Sequence, residues 1–167
     1  VTAAEKKQGM IVVCGPTGAG KTTTLYALMK RLNSEQVNIA TVEDPVEYDL
    51  EGVNQIQVQT ATGLTYAEGL KITLRQDPDI IMLSAIRDLQ TAHLANIAAL
   101  SGHVVLTTLD TPDAVGAIAR LLEMQIEPFP LATSLNLIIG QRLVRTICQN
   151  CRLSYDLSDN EREIVAG

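Results

Sequence analysis

The octapeptide Gly15-Pro16-Thr17-Gly18-Ala19-Gly20-Lys21-Thr22 constrains this chain more than any other stretch, because it satisfies G-x-x-x-x-G-K-[ST] in full and directly follows the apolar run Met10–Cys14. Strand, glycine-rich arc and helix in that order make a phosphate-binding loop. The glycines let the backbone turn its N–H groups toward an anion, and the helix that begins near Gly20 adds the positive end of its dipole. Lys21 is expected to reach the β- and γ-phosphates and the Thr22 hydroxyl to ligate Mg²⁺, so the expected ligand is a magnesium nucleoside triphosphate. An incidental glycine-rich turn is the competing reading, but the strand before and the helical pattern after are the context the motif requires.

Beyond the loop, strand and helix patterns alternate. Leu25, Leu28, Met29 and Leu32 recur at helical spacing between Gly20 and Asn33. Asn38–Val42 reads as a second strand, which delivers Glu43 and Asp44 at its C-terminal end, where Pro45 stops it. Val53–Val58 alternates apolar and polar residues, as a short strand with one wet face does, and suits a hairpin. Thr65 and Glu68 form a capping box ahead of Leu70, Ile72 and Leu74, in a helix that carries Arg75 near its end and cannot pass Pro78. Ile80–Leu83 is continuously apolar, the mark of a strand covered on both faces. Asp88 caps a helix running to Leu100 that is apolar on most sides, and so is expected to be buried, before Ser101-Gly102 stops it. Val104–Leu109 is the next strand, and Thr111-Pro112 reads as a helix start with a cap and a first-turn proline. Leu131–Ile139 and Arg142–Ile147 close the domain, whereas polar Val1–Gln8 reads as the frayed end of a segment cut from a longer chain. The alternation predicts an α/β fold with a parallel sheet and helices on both faces.

Composition narrows the partners. With 46% hydrophobic residues but only 3% aromatics among 167, aliphatic side chains must fill the core. The net charge of −6 argues against a nucleic-acid surface, which needs an excess of Lys and Arg. No apolar run reaches the roughly 18 residues that span a bilayer, and the first residues do not read as a signal peptide, so a cytoplasmic location is expected. Three cysteines, with Cys14 inside a strand as a small buried hydrophobe, do not make a disulfide framework.

Several side chains are candidates for chemistry. Glu43 stands at the C-terminal edge of a strand beside the loop, where a carboxylate can orient and deprotonate an attacking water, and with Lys21 it makes the expected catalytic pair. A turn cap is the alternative for Glu43, and Glu47 is a further acid nearby. Arg75 and Arg87 can offset phosphate charge or pair with acids such as Asp79 and Asp88. His103 follows Gly102 at the start of a strand; His93 lies in the apolar helix and is assigned no chemistry. Cys148 and Cys151 have metal-ligand spacing, but tetrahedral zinc needs four ligands and no second pair is present, so zinc is not expected.

These residues resemble one family, the assembly ATPases of type II secretion and type IV pili. The resemblance runs from Gly9 to Arg152 and rests on the loop with Thr23-Thr24-Leu25-Tyr26 after it, on Thr41-Val42-Glu43-Asp44-Pro45-Val46-Glu47-Tyr48, and on Leu74-Arg75-Gln76-Asp77-Pro78-Asp79. Ile86-Arg87-Asp88, Gly102-His103 and Gln141-Arg142-Leu143-Val144-Arg145 extend it. It implies a RecA-like fold over residues 1–147, with 148–167 opening a half zinc module. It also implies a nucleotide contact at Thr23, an N-terminal domain that completes the site, and a homo-hexameric ring. That ring would work on inner-membrane platform proteins to assemble or retract a pilus or pseudopilus.

Three departures from the family pattern bear on the mechanism. Ser84-Ala85 stands where the family has Gly-Glu, so the carboxylate that helps hold Mg²⁺ is lost. Leu109-Asp110-Thr111-Pro112 stands where the family reads Leu-His-Thr-Asn, which puts an acid in place of a phosphate sensor. A carboxylate about 5 Å from a phosphate oxygen costs on the order of 3 kcal/mol at an effective dielectric near 20. The zinc module keeps one cysteine pair. The sequence therefore supports a motor domain that binds and hydrolyses Mg-ATP. A ring subunit that binds nucleotide with lost or weak hydrolysis is the alternative, favoured by Ala85 and Asp110. A small-molecule kinase lacks the Arg-rich lid it would need.

Overall fold

A computed structural model describes residues 6–166; the expected frayed end falls largely on Val1–Glu5, outside the described residues. Six strands, β1 (Gly9–Cys14), β2 (Ile39–Glu43), β3 (Val53–Gln57), β4 (Ile80–Leu83), β5 (Val104–Leu109) and β6 (Leu135–Gly140), form one sheet in the order β3-β2-β4-β5-β1-β6. Every pairing is parallel. The helices are α1 (Lys21–Leu32), α2 (Tyr66–Leu74), α3 (Leu89–Leu100), α4 (Ala114–Glu123), α5 (Pro128–Ser134) and α6 (Asp159–Ala166).

Alternation along the strands divides the core in two. Met10, Val12 and Cys14 of β1 point to one face with Val42, Ile81 and Val105, where Leu70 of α2, the alanines of α3 and Leu121 of α4 cover them. Ile11 and Val13 point to the other, with Ile39, Met82 and Leu106, under Leu25, Tyr26 and Met29 of α1. Helices thus lie on both faces, as the alternating pattern predicts. No helix among the described residues is long and apolar enough to cross a membrane.

Four expectations change. The Val53–Val58 segment is no hairpin: β3 runs parallel to β2 as an edge strand, and its half-exposed residues reflect that position. The helix predicted at Thr111-Pro112 starts at Ala114, because the Asp113 carboxylate accepts the Gly116 N–H at 2.7 Å and outcompetes Thr111 as the cap. Helix α3 is not buried all round: Ala92, Ala95, Ala98 and Ala99 pack inward, while Leu89, Ile97 and Leu100 face out. Small residues bring the helix close to the sheet and leave no room for the large ones. Arg142–Ile147 forms neither helix nor strand, and Leu143, Val144 and Ile147 are exposed. Thr65 and Asp88 cap their helices as predicted, with the Glu68 and Thr91 N–H groups donating at 3.2 and 2.8 Å. The Thr65–Glu68 capping box is only half formed, however: the Thr65 N–H donates to the Gly63 carbonyl at 3.0 Å and the Glu68 carboxylate pairs with Lys71 at 2.6 Å.

Candidate nucleotide site

Parallel register brings the chemistry to one edge of the sheet. Cys14 lies opposite Leu109 of β5 and Gly140 of β6, so the loop after β1 meets Asp110 on one side and Gln141 on the other. Ser84 and Ala85 leave β4 at the same edge, and Asp44 leaves β2. Together they surround a cavity of about 640 Å³ whose walls include Thr17–Thr23, Tyr26, Asp44, Glu47, Ser84, Ala85, Arg87 and Asp110.

The loop is held in a shape that only glycine permits at its two ends. A side chain at Gly15 would meet the Gln141 carbonyl at 2.3 Å, and Gly20 sits at φ 80°, ψ 22° as the residue before α1. Gly20 offers no side chain to cap the helix, and the first intrahelical bond runs from Thr24 N–H to the Gly20 carbonyl at 3.0 Å. The amides of Lys21, Thr22 and Thr23 are therefore left for an anion, as in any first helical turn. This cradle fits a nucleotide phosphate.

Gln141 braces the loop, a role the sequence reading did not assign. Its backbone N–H donates to the Cys14 carbonyl at 2.8 Å, its side-chain amide donates to the Ala19 carbonyl at 2.7 Å, and its Oε1 accepts the Thr24 hydroxyl at 2.7 Å. The glutamine thereby ties β6 to both ends of the loop-to-helix turn. Its membership in the Gln141–Arg145 segment of the family pattern was the available signal.

Lys21 is already engaged. Its ammonium lies 2.8 Å from Asp110 Oδ1 and donates to the Gly15 and Pro16 carbonyls at 2.9 and 3.0 Å. Arg87 pairs with Asp44 at 3.2 Å, not with Asp88, whose carboxylate caps α3. Arg87 also lies over the Tyr66 ring at 5.8 Å. Arg75 is the C-terminal cap of α2, off the cavity wall, and Asp79 is used by the Asn38 N–H at 2.8 Å. His103 precedes β5, at the edge opposite the loop, where Nδ1 lies 3.1 Å from the Ala98 carbonyl.

Glu43 is fully buried and does not line the cavity. One of its oxygens accepts the Tyr26 hydroxyl, and the other accepts the Thr41 hydroxyl at 2.5 Å and the Gln55 amide at 3.0 Å. A carboxylate deprived of water needs such donors to stay satisfied. Burial and the bond to Glu43 hold the Tyr26 hydroxyl far above the ordinary tyrosine range, so Tyr26 remains the donor of that pair. The Tyr26 oxygen also accepts the Glu47 N–H at 3.3 Å, which links the buried acid to a residue on the open wall. Ser84 Oγ accepts the Asp44 N–H at 3.2 Å and lies 2.7 Å from the Tyr66 hydroxyl. Ala85 is buried and brings no carboxylate to the wall. Cys148 and Cys151 are exposed, and no group of three metal-ligating side chains occurs among the described residues.

Comparison with known proteins agrees with this geometry. The sequence profile described as Type II/IV secretion system protein matches residues 1–166. The chain is 54% identical to the type II secretion system protein E of Aeromonas hydrophila over 94% of this chain and 31% of that protein. It is 50% identical to the type IV pilus assembly ATPase PilB of Myxococcus xanthus over 99% of this chain and 29% of that protein. The chain thus spans about a third of the curated relatives it matches. Among solved structures, the pilus retraction motor PilT with bound ADP superposes with a TM-score of 0.77 at 37% identity, covering 85% of this chain and 44% of that one. The ATPase DotB of Legionella pneumophila superposes with a TM-score of 0.77 at 28% identity, covering 87% and 44%. A parallel sheet with a phosphate-binding loop at its C-terminal edge, shared with these ATPases, is the RecA-like fold. The chain belongs to the Type II/IV secretion system protein family, the secretion and pilus assembly ATPases.

Proposed function

We propose that this chain is the nucleotide-binding motor domain of a secretion or pilus assembly ATPase. The observation that carries the reading is the complete phosphate loop Gly15–Thr22 walling a cavity wide enough for a nucleotide. In this reading Gly15, Pro16, Thr17, Gly18, Ala19 and Gly20 form the arc around the phosphates. The amides of Lys21, Thr22 and Thr23 face the anion. Lys21 neutralises phosphate charge, and the Thr22 hydroxyl is the ligand offered to Mg²⁺, which supplies charge neutralisation on the phosphate oxygens when bound. Glu43 acts on the attacking water indirectly: it accepts the Tyr26 hydroxyl, and the Tyr26 oxygen in turn holds the Glu47 N–H, so the buried acid positions the cavity wall around the water without itself taking a proton from it. Residues 1–147 constitute the nucleotide domain and 148–167 begin a separate segment. The whole protein works as a homo-hexamer in the cytoplasm, on inner-membrane platform proteins of a secretion or pilus machine.

A second reading, a ring subunit that binds nucleotide but hydrolyses it weakly or not at all, draws support from Ala85 and from Asp110 on Lys21. Both changes act mainly on charge that develops in the transition state, so binding survives while turnover falls. Steady-state phosphate release by the protein and by its A85E/D110H variant, with the ATP dissociation constant of each, separates the two. Restoring both groups is expected to raise turnover about 10²–10³-fold, the worth of a preorganised electrostatic contact. Equal turnover, already fast in the starting protein, would mean that other residues have taken over both roles and that the second reading is wrong.

A further inference from the structure

Lys21 has three N–H donors, and all three are committed within the protein: to Asp110 Oδ1, to the Gly15 carbonyl and to the Pro16 carbonyl, at 2.8, 2.9 and 3.0 Å. The lysine side chain is only 10% exposed, whereas the Asp110 side chain is 62% exposed. Of the three acceptors, the carboxylate is thus the one that can leave without moving the loop. It is also the only anionic one, and it stands where a phosphate must come to reach Lys21. The rest of the cavity does not compensate. Two cations, Lys21 and Arg87, line it against three carboxylates, Asp44, Glu47 and Asp110, and each cation is already paired with one of these acids. A bare triphosphate entering this cavity meets an excess of negative charge and must expel Asp110 from Lys21. Once expelled, Asp110 remains beside the phosphates as an uncompensated charge.

We propose that Asp110 makes nucleotide binding metal-coupled in this protein. It is an internal anion on Lys21 that a bare nucleoside triphosphate displaces poorly, and a divalent cation arriving with the nucleotide compensates the displaced carboxylate. Asp110 is thereby a specificity-determining residue that selects the metal complex over the free triphosphate. The inference rests on the nucleotide-binding reading of the loop and adds to it a function for the acid that departs from the family pattern.

The test is the dissociation constant of ATP for the protein, for D110N and for E35Q, each measured by titration calorimetry in Mg²⁺ and again in EDTA. The asparagine keeps the shape of Asp110 without its charge. Glu35 is an exposed acid after the C-terminal end of α1, at the edge of the sheet opposite the loop, so E35Q changes net charge equally without touching the cavity. In EDTA, D110N is expected to bind ATP at least about tenfold more tightly than the starting protein, the effect of removing one close like charge at a partly exposed site. In Mg²⁺ the gain is expected to shrink to about threefold or less, and E35Q to match the starting protein in both buffers. Equal affinities of D110N and the starting protein in EDTA overturn the proposal, as does a gain of the same size in both buffers, which would make Asp110 a simple competitor. In either case the loop still binds nucleotide and the broader reading stands. Absence of ATP binding by every variant in both buffers overturns the two together.

Discussion

Truncation of Gln141 tests whether β6 braces the phosphate loop. The side chain makes two hydrogen bonds of 2.7 Å, to the Thr24 hydroxyl and to the Ala19 carbonyl, in a partly buried position. Alanine removes both and keeps the backbone bond to Cys14. At a net contribution of about 1 kcal/mol for each neutral bond, Q141A is expected to lower stability by about 2 kcal/mol. If the loosened loop must be reordered by the ligand, the same energy appears as a dissociation constant for Mg-ATP raised up to about 30-fold. T24V removes only the first bond and is expected to cost about half as much. Urea unfolding of both single variants and of the double variant supplies a double-mutant cycle, in which a coupling energy near 1 kcal/mol is the signature of the Thr24–Gln141 bond. Stability within about 0.3 kcal/mol of the starting protein, together with unchanged nucleotide affinity, would refute the bracing role.

Two further outcomes follow from titratable groups. Burial is the main cause that raises the hydroxyls of Tyr26 and Tyr66 above their ordinary value of 10.0, so their stabilising contribution is complete below pH 10 and is lost as pH rises through the folded-state values. The thermal midpoint is expected to fall from pH 10 upward as these tyrosines become the groups that unfolding lets ionise, and a flat profile to pH 11 would contradict their burial. The Asn150 backbone N–H, with the Cys151 thiol, lowers the exposed Cys148 thiol below its ordinary range. At neutral pH, Cys148 is expected to alkylate faster in the folded protein than in urea, and Cys14 only in urea, as mass spectrometry of iodoacetamide-treated samples checks; a faster Cys148 reaction in urea would contradict it.

The sheet was legible because its residues are governed by local rules. Ile80–Leu83 has to be a doubly covered strand, and Gly15–Thr22 leaves the backbone few shapes. Strand neighbours were less accessible: Val53–Val58 alternates as a hairpin strand would, yet it is equally an edge strand in parallel pairing, and alternation alone does not distinguish them. At the start of α4 two cap signals lie two residues apart, and only the observed bond from Gly116 to Asp113 decides between them. In the site, the loop was readable but the contacts across it were not. The Lys21–Asp110 pair joins residues separated along the chain by four strands, β2 to β5, and the Gln141 brace comes from the far side of β1. The burial of Glu43 depends on Tyr26 and Gln55, which reach it from a helix and an edge strand that nothing in its neighbourhood in the sequence announces.

Titration of Mg-ATP into the starting protein and into K21A reports on whether Gly15–Thr22 holds the phosphates of a magnesium nucleotide. Removing the loop's one side-chain cation leaves its backbone arc but deletes a charge-assisted contact, so K21A is expected to bind at least about tenfold more weakly. Equal affinities, or no binding by either protein, would contradict that reading.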